Sequence, residues 1–510
     1  MMIKVQNKWI FNCYLIAILL INVNWVVAEP TESRPNVLFI IVDDLNDWTG
    51  HLAGHPQTKT PHLDKLAQRS VTFQNAHAQA PLCGPSRTSM LSGIHPHHSG
   101  VYGHIHDADL HKVEALKDIK FLPQFFKSNG YKTLGVGKIF HLTDGNKQFD
   151  EYGGIFSRMG PKPPERLSYD PSKFGTGRTQ TDWGAYPEKS ESMPDYKMAE
   201  WSVSKLQEKH TEPFFMTVGF VRPHVPWHVP ESWFKPFPRA TTSEPSIKDD
   251  DLTDISEFSK EVLQTPGMPP WEWMKQENRI HIREAARAYL ACVHFVDAQV
   301  GKVLTALENS DYAKNTIVIV TSDHGYHLGE KHRWAKHSLW ERATRVPLII
   351  NVPKNESRIV NKPVGLIDLY PTMADLCGLK SPEYLDGKSM QPLIMREKQG
   401  EPKAWRHSVL TVYGRKNFAL RSETHRYICY ADGSQELYDM RTDPHEWNNL
   451  CHPSVSENAQ SVINEFKNQL PKTYKQWSPY SYAKINAWFD DDIQKSRAVT
   501  GTKERTIYKK

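Results

Sequence analysis

The chain has 510 residues, of which 39% are hydrophobic and 24% charged, which is ordinary for a globular protein and enough for more than one buried core. Its formal net charge of +5 is small for this length and carries no nucleic-acid signal. The 24 histidines say more, because many fall in short clusters beside motifs that carry chemistry.

At the N-terminus Lys4 and Lys8 precede a mostly apolar run from Ile10 to Val23, and Val26-Val27-Ala28 ends on a small residue. This reads as a signal peptide over residues 1–28. Asn12, Asn22 and Asn24 interrupt the run, so no membrane span is expected there, and no later segment reaches spanning length. The protein should be exported, to a bacterial periplasm, with secretion or a lysosome as the alternative. Export permits disulfides. Spacing does not fix connectivity among Cys292, Cys377, Cys429 and Cys451, so free thiols are favoured over a Cys429–Cys451 pair.

Four apolar runs organise the rest of the chain: Val37–Val42, Tyr131–Val136, Phe214–Phe220 and Thr316–Thr321. They lack alternation, as strands buried on both faces do. Helical patterns at Pro61–Arg69, Phe121–Ser128 and Ile282–Leu307 separate them. The expectation is an α/β fold, a large mostly parallel sheet flanked by helices, over residues 29–400. Short strands at Ser408–Tyr413, Phe418–Arg421, Tyr427–Tyr430 and Glu436–Asp439, then a helix at Asn458–Leu470, predict a smaller C-terminal α+β domain over 401–493 with an antiparallel sheet. Residues 494–510 read as a mobile tail.

Each of the four strands runs into chemistry. Asp43-Asp44 succeeds the first, Gly137-Lys138 with His141 the second, Arg222-Pro223-His224 the third, and Asp323-His324 the fourth. Ligands of open α/β sheets bind at the carboxyl ends of strands. Adjacent carboxylates repel unless a cation sits between them, and three carboxylates favour a hard divalent ion, Ca²⁺ or Mg²⁺. The expected metal ligands at these strand ends are Asp43, Asp44, Asp323 and His324.

Cys83-Gly84-Pro85-Ser86-Arg87 supplies the remaining part. Pro85 suits the first turn of a helix. Cys83 then sits at the helix N-terminus, where anions are favoured and a thiol pKa falls. Arg87, four residues on, shares its face. A cysteine-phosphatase loop would need five residues between Cys and Arg, and here there are three.

Cys-x-Pro-Ser-Arg followed by Leu91-Ser92-Gly93 resembles the signature of the type I sulfatases, and from about Asn36 to about Leu450 the pattern is similar to their iduronate-2-sulfatase-like branch. The resemblance implies an alkaline-phosphatase-like sulfatase fold and oxidation of Cys83 to Cα-formylglycine (3-oxoalanine) by a formylglycine-generating or sulfatase-maturating enzyme. It implies that the modified Cys83 joins the metal ligands, that Arg87 holds the modified residue and that Lys336 binds sulfate. His324 stands where many sulfatases have Asn. Cys83, Arg87, Lys138, His141, His224 and Lys336 are then the catalytic set of a sulfuric ester hydrolase. The expected substrate is a sulfated, uronic acid-containing polysaccharide or its oligosaccharides, ulvan- or glycosaminoglycan-like. Trp48, His98, His104, Trp227, His228, Arg333 and Arg345 are candidate sugar contacts, and Lys331, His332 and Arg333 a basic cluster near the mouth. A phosphatase or phosphodiesterase of the same superfamily, or a non-catalytic glycan-binding relic, remain the alternatives.

Overall fold

A computed structural model describes residues 34–142, 147–156, 159–176, 179–263, 267–395, 405 and 408–483. The signal-peptide reading at 1–28 and the tail at 494–510 lie outside them.

The central element is an eight-stranded sheet. Its strands and the principal helices are, in chain order, β1 (Asn36–Val42), α1 (Pro61–Gln68), β2 (Val71–Phe73), α2 (Cys83–Ser92), β3 (Lys132–Gly137), β4 (Glu151–Tyr152), α3 (Pro194–Gln207), β5 (Phe214–Phe220), α4 (Gln276–Glu308), β6 (Thr316–Ser322), β7 (Leu348–Asn351) and β8 (Arg358–Val360). The order across the sheet is β8-β2-β7-β6-β1-β5-β3-β4. The pairs β6-β1, β1-β5, β5-β3, β3-β4 and β8-β2 are parallel, and β7 alone runs against its neighbours. The expected mostly parallel sheet is therefore present, with one antiparallel strand inside it.

Both faces of the sheet are covered, which explains the unbroken apolar runs. Along β1, Leu38, Ile40 and Val42 join one buried cluster, which takes in Met198 of α3 and Tyr289 of α4. Val37, Phe39 and Ile41 join a second, which includes Met90 and Leu91 of α2. The two-residue period of a strand thus distributes one sequence run between two cores. Among the described residues α4 is the one helix long and apolar enough to cross a membrane, but most of its apolar window is buried in the first cluster.

The C-terminal strands β9 (Ser408–Val412), β10 (Phe418–Ser422), β11 (His425–Cys429) and β12 (Gln435–Asp439) form an antiparallel meander. Helix α5 (Glu457–Lys467), capped by the Ser456 side chain, packs Ile463 and Phe466 against Leu420, Tyr427 and Leu437. This sheet is tied to the segment after β6. Trp340 Nε1 donates to Glu436 Oε2 at 2.8 Å, and Arg421 Nε to Glu341 Oε2 at 3.0 Å. Among the described residues Cys83, Cys292, Cys377, Cys429 and Cys451 are free thiols.

Candidate functional site

The carboxyl ends of β1, β3, β5 and β6 deliver their following residues to one buried centre. Strand pairing fixes the first part of this, since Val42 is in register with Ser322 on one side and Phe220 on the other. Gly137, at φ 83, turns the chain sharply at the end of β3, where an added Cβ would lie 2.2 Å from Gly219 O. Lys138 N then donates to that same oxygen at 2.7 Å, and the side chain enters the site.

Helix α2 starts at Cys83, with Leu82 extended as its N-cap, and ends at Gly93 in the left-handed conformation. Its ten residues are all buried. Gly84 permits the close approach of a side chain: a Cβ there would meet His104 Nδ1 at 2.5 Å. Arg87 donates from Nε to Asp323 Oδ2 at 2.8 Å, from Nη2 to Asp43 Oδ1 at 3.1 Å, and from Nη1 to the carbonyls of Lys138 and Ile139. Ser86 Oγ donates to Asp323 O at 2.5 Å. The first turn of α2 is thereby locked to β1, β3 and β6 at once.

Around the Cys83 sulfur, Lys336 Nζ lies at 3.1 Å, His324 Nε2 at 3.1 Å and Asp43 Oδ1 at 3.6 Å. The His141 side chain hydrogen-bonds to it. Lys336 Nζ also donates to Asp44 Oδ1 at 2.6 Å, and Lys138 Nζ to Asp43 Oδ2. His224 Nε2 stands 3.9 Å from Asp44 Oδ2. In both His224 and His324, Nδ1 donates to a backbone carbonyl, of Val225 and Gly325 at 2.7 and 2.9 Å, which turns Nε2 into the site.

The electrostatics are those of a charge cluster removed from water. Burial pushes the Cys83 thiol pKa up, but Lys138, Lys336 and His324 together outweigh it and hold the group well below its ordinary value. Burial and the Cys83 sulfur likewise raise Asp43, while Lys138, His224 and Arg87 hold it below the usual carboxylate range. For Asp323 burial wins over Arg87, and its pKa rises to about 6. Burial opposes the charge on His324, but Asp323 and the Cys83 sulfur bring it to about 9.

The donor set fits a divalent cation. The ligand atoms of Asp43, Asp44, Cys83 and His224 lie within 4.8 Å of one another, as do those of Asp43, Cys83, Asp323 and His324. Asp44 Oδ2 is buried and has no hydrogen-bond partner among the described residues. The carboxylates of Asp43, Asp44 and Asp323 in these two groups are ligands of the kind a hard ion takes.

The candidate sugar contacts divide. His104 is at the centre, stacked on His141 with ring centroids 3.8 Å apart at 11°. Burial and then His141 keep its pKa well below the imidazole value. His98, on the surface, pairs with Asp386 at 2.8 Å. Trp48 and Trp227 are buried and meet the Tyr289 ring edge-on. His228 is buried against Asp182 at 3.2 Å. Arg333 is buried with Nη2 on the Lys336 carbonyl at 2.7 Å, and Arg345 is held by Gln74 O at 2.9 Å and Asp47 Oδ2 at 3.3 Å. Lys331 is buried too, paired with Asp251 at 2.8 Å, so the basic cluster expected near the mouth is an internal ion-pair and hydrogen-bond network. His337 also borders the site, and its one sequence signal is its place directly after Lys336.

The family described as Sulfatase matches residues 35–379, and the one described as N-sulphoglucosamine sulphohydrolase, C-terminal, matches 329–476. A sulfatase of Formosa agariphila is 41% identical over 483 residues, covering 92% of both chains. Mouse iduronate 2-sulfatase is 32% identical, covering 71% of this chain and 72% of its own. An ulvan-active sulfatase of Formosa agariphila is 28% identical, covering 86% and 82%. A protein solved in complex with its substrate D-glucosamine-2-N,6-O-disulfate superposes with a TM-score of 0.65 at 22% identity, covering 86% of this chain and 97% of its own, which is a likeness of fold.

Proposed function

This chain belongs to the sulfatase family, as a type I sulfatase of the alkaline-phosphatase superfamily, and we propose that it removes sulfate from a uronic acid-containing saccharide by way of a formylglycine at position 83. The single observation that carries the chemistry is the Cys83 side chain, with Lys336, His324, Asp43 and His141 all in reach of its sulfur.

In this reading Sγ marks the place of the two hydroxyls of a hydrated aldehyde. A sulfate monoester is a stable anion, and its sulfur resists an anionic nucleophile until the charge is offset. Lys138, His224 and Lys336 provide that offset. A divalent ion held by Asp43, Asp44, Asp323 and His324, with residue 83 as a further ligand, would supply Lewis-acid activation of the nucleophilic hydroxyl. One hydroxyl of residue 83 gives up its proton to water and forms an O–S bond as the bond from sulfur to the sugar oxygen breaks. His224 or Lys336 donates the proton that the departing alcohol takes. The second hydroxyl gives its proton to His141, its oxygen forms the C=O bond, and the C–O bond to sulfate breaks. Water then rehydrates the aldehyde. Arg87 touches neither sulfur nor leaving group in this scheme; it positions residue 83 by fixing Asp43 and Asp323. The division into transfer and release is covalent catalysis with acid–base assistance.

The uronic acid assignment is supported by relatives whose names specify iduronate and ulvan. It draws no support from Lys331, Arg333 or Arg345, whose charges are engaged inside the protein. The leader reading at 1–28 supports export, with maturation of Cys83 by a dedicated oxidising enzyme. The deciding experiment co-expresses the chain with a maturation enzyme, measures the mass of the peptide carrying position 83, and compares sulfate release with phosphate release from matched esters. An aldehyde and sulfate release that both vanish in Cys83→Ala are expected. Equal or faster phosphate release would favour a phosphatase, and full activity in Cys83→Ala would sink the mechanism.

A further inference from the structure

We infer that His337 is a specificity-determining residue of this site, reading a pair of hydroxyls of the sugar that bears the sulfate; the inference rests on the sulfatase reading above. Its backbone is in the left-handed region, at φ 58, which a residue with a side chain adopts only when its surroundings enforce it. The enforcement is visible on both sides. His337 N donates to Pro81 O at 3.1 Å, two residues before Cys83, and Arg333 Nη2 holds the Lys336 carbonyl at 2.7 Å. The result is that Lys336 reaches the Cys83 sulfur while the next side chain stands beside it, its ring parallel to Tyr413 at 6.4 Å and 4°.

Both ring nitrogens of His337 are shielded from solvent and have no hydrogen-bond partner among the described residues. A buried polar group left unsatisfied needs a reason, and a functional site is one. The ring is near enough to Cys83 and His324 for their charges to act on it. Burial, then Lys336 and Arg333, push its pKa well below the imidazole value, so it stays neutral. A neutral imidazole carries one donor and one acceptor. A carboxylate offers acceptors alone and a sulfate oxygen likewise, so either would leave one nitrogen facing no donor. The two nitrogens face opposite ways, so a pair of sugar hydroxyls, one accepting from the N–H and one donating to the other nitrogen, matches both. A hydrogen-bonding site of this kind discriminates strongly against a substrate lacking these hydroxyls, because its own polar groups are then left unpaired.

The test uses the aldehyde-bearing, Ca²⁺-loaded enzyme and its His337→Ala and His337→Gln variants. Sulfate release is measured from sulfated disaccharides of heparan sulfate, chondroitin sulfate and ulvan, with 4-nitrophenyl sulfate as the reference without sugar hydroxyls. In His337→Ala the ratio of kcat/KM for saccharide over aryl sulfate should fall about 10- to 100-fold, mostly through KM, with inhibition by inorganic sulfate little changed. His337→Gln, which keeps a donor and an acceptor, should recover most of the ratio. Equal losses on both substrates with weaker inhibition by inorganic sulfate would mean that His337 acts only by holding Lys336, and would overturn the inference. So would a wild-type enzyme that turns over the aryl ester and no saccharide. Calorimetric binding of the same disaccharides to Cys83→Ala protein needs no turnover. His337-dependent binding without any sulfate release would overturn the sulfatase reading for these esters and leave the sugar-reading role standing.

Discussion

Arg87 Nε donates to Asp323 Oδ2 at 2.8 Å, joining residues 236 apart in sequence at a point that water does not reach. The pair fastens the first turn of α2 to the end of β6. Removing one partner of a buried ion pair strands the other, which costs about 3–5 kcal/mol. Arg87→Ala should therefore lower stability by about that amount in denaturant titrations and bring sulfate release below detection. An Arg87→Ala protein of unchanged stability would show that the pair is already wet or replaceable.

Removal of the divalent ion should abolish activity, and Ca²⁺ should restore it. Asp44→Asn should weaken Ca²⁺ affinity more than it weakens the fold, because its orphaned Oδ2 loses charge and not position. At Ca²⁺ about a hundredfold above Kd the native state should gain about 2.7 kcal/mol, read as a rise in Tm. Full activity after exhaustive chelation would contradict the hard-cation assignment.

In His141→Ala the second half of the reaction should slow more than the first. Sulfated enzyme should then accumulate during turnover, visible as an adduct in the intact mass. If no adduct forms while activity falls, the base for the release step is another residue.

Away from the site, Asp297 makes stability depend on pH. It accepts from the backbone N–H groups of His62 and Leu63 at 3.1 and 2.9 Å, in the first turn of α1. Burial raises its pKa from 3.8 to about 7 in spite of those bonds, and Asp64 adds to the rise. A folded-state pKa above the unfolded one means a contribution that is complete below about pH 4 and lost as pH climbs through about 7. Asp297→Asn does not titrate. Relative to wild type it should gain stability from pH 5 to pH 8, by on the order of 2–4 kcal/mol across the whole window. An identical Tm difference at both pH values would place the Asp297 pKa near its ordinary value.

The parts of the site that are legible in sequence share one property: each is fixed by its neighbours along the chain. Asp43, Lys138, His224 and Asp323 come after apolar runs whose direction dictates where the next residues go. Cys83 and Arg87 are one helical turn apart. The sheet's one reversed strand is not legible, because Leu348–Asn351 is as apolar as the parallel strands of the sheet. Nor is the fate of Lys331, Arg333 and Arg345. The partners of Lys331 and Arg345, namely Asp251, Asp47 and Gln74, are distant in sequence, and a basic run reads the same whether it is solvated or folded inward. Trp48 and Trp227 adjoin site residues in sequence but are buried in the first core cluster.

The complete burial of α2 has a consequence for the order of events in the life of the chain. A modifying enzyme that reads Cys83, Pro85 and Arg87 as a sequence needs them extended and within its grasp, and in the native state the whole turn is enclosed. Under the proposed function, oxidation at position 83 must then precede folding, and the modifying enzyme must reach the chain during synthesis or translocation. A molecule that folds first keeps the thiol, and its inactivity is permanent until it unfolds. The yield of working enzyme is thus set by a race between two rates and not by an equilibrium. Slowing folding, by lower temperature or by a destabilising change far from the site, should raise the fraction of molecules that carry the aldehyde.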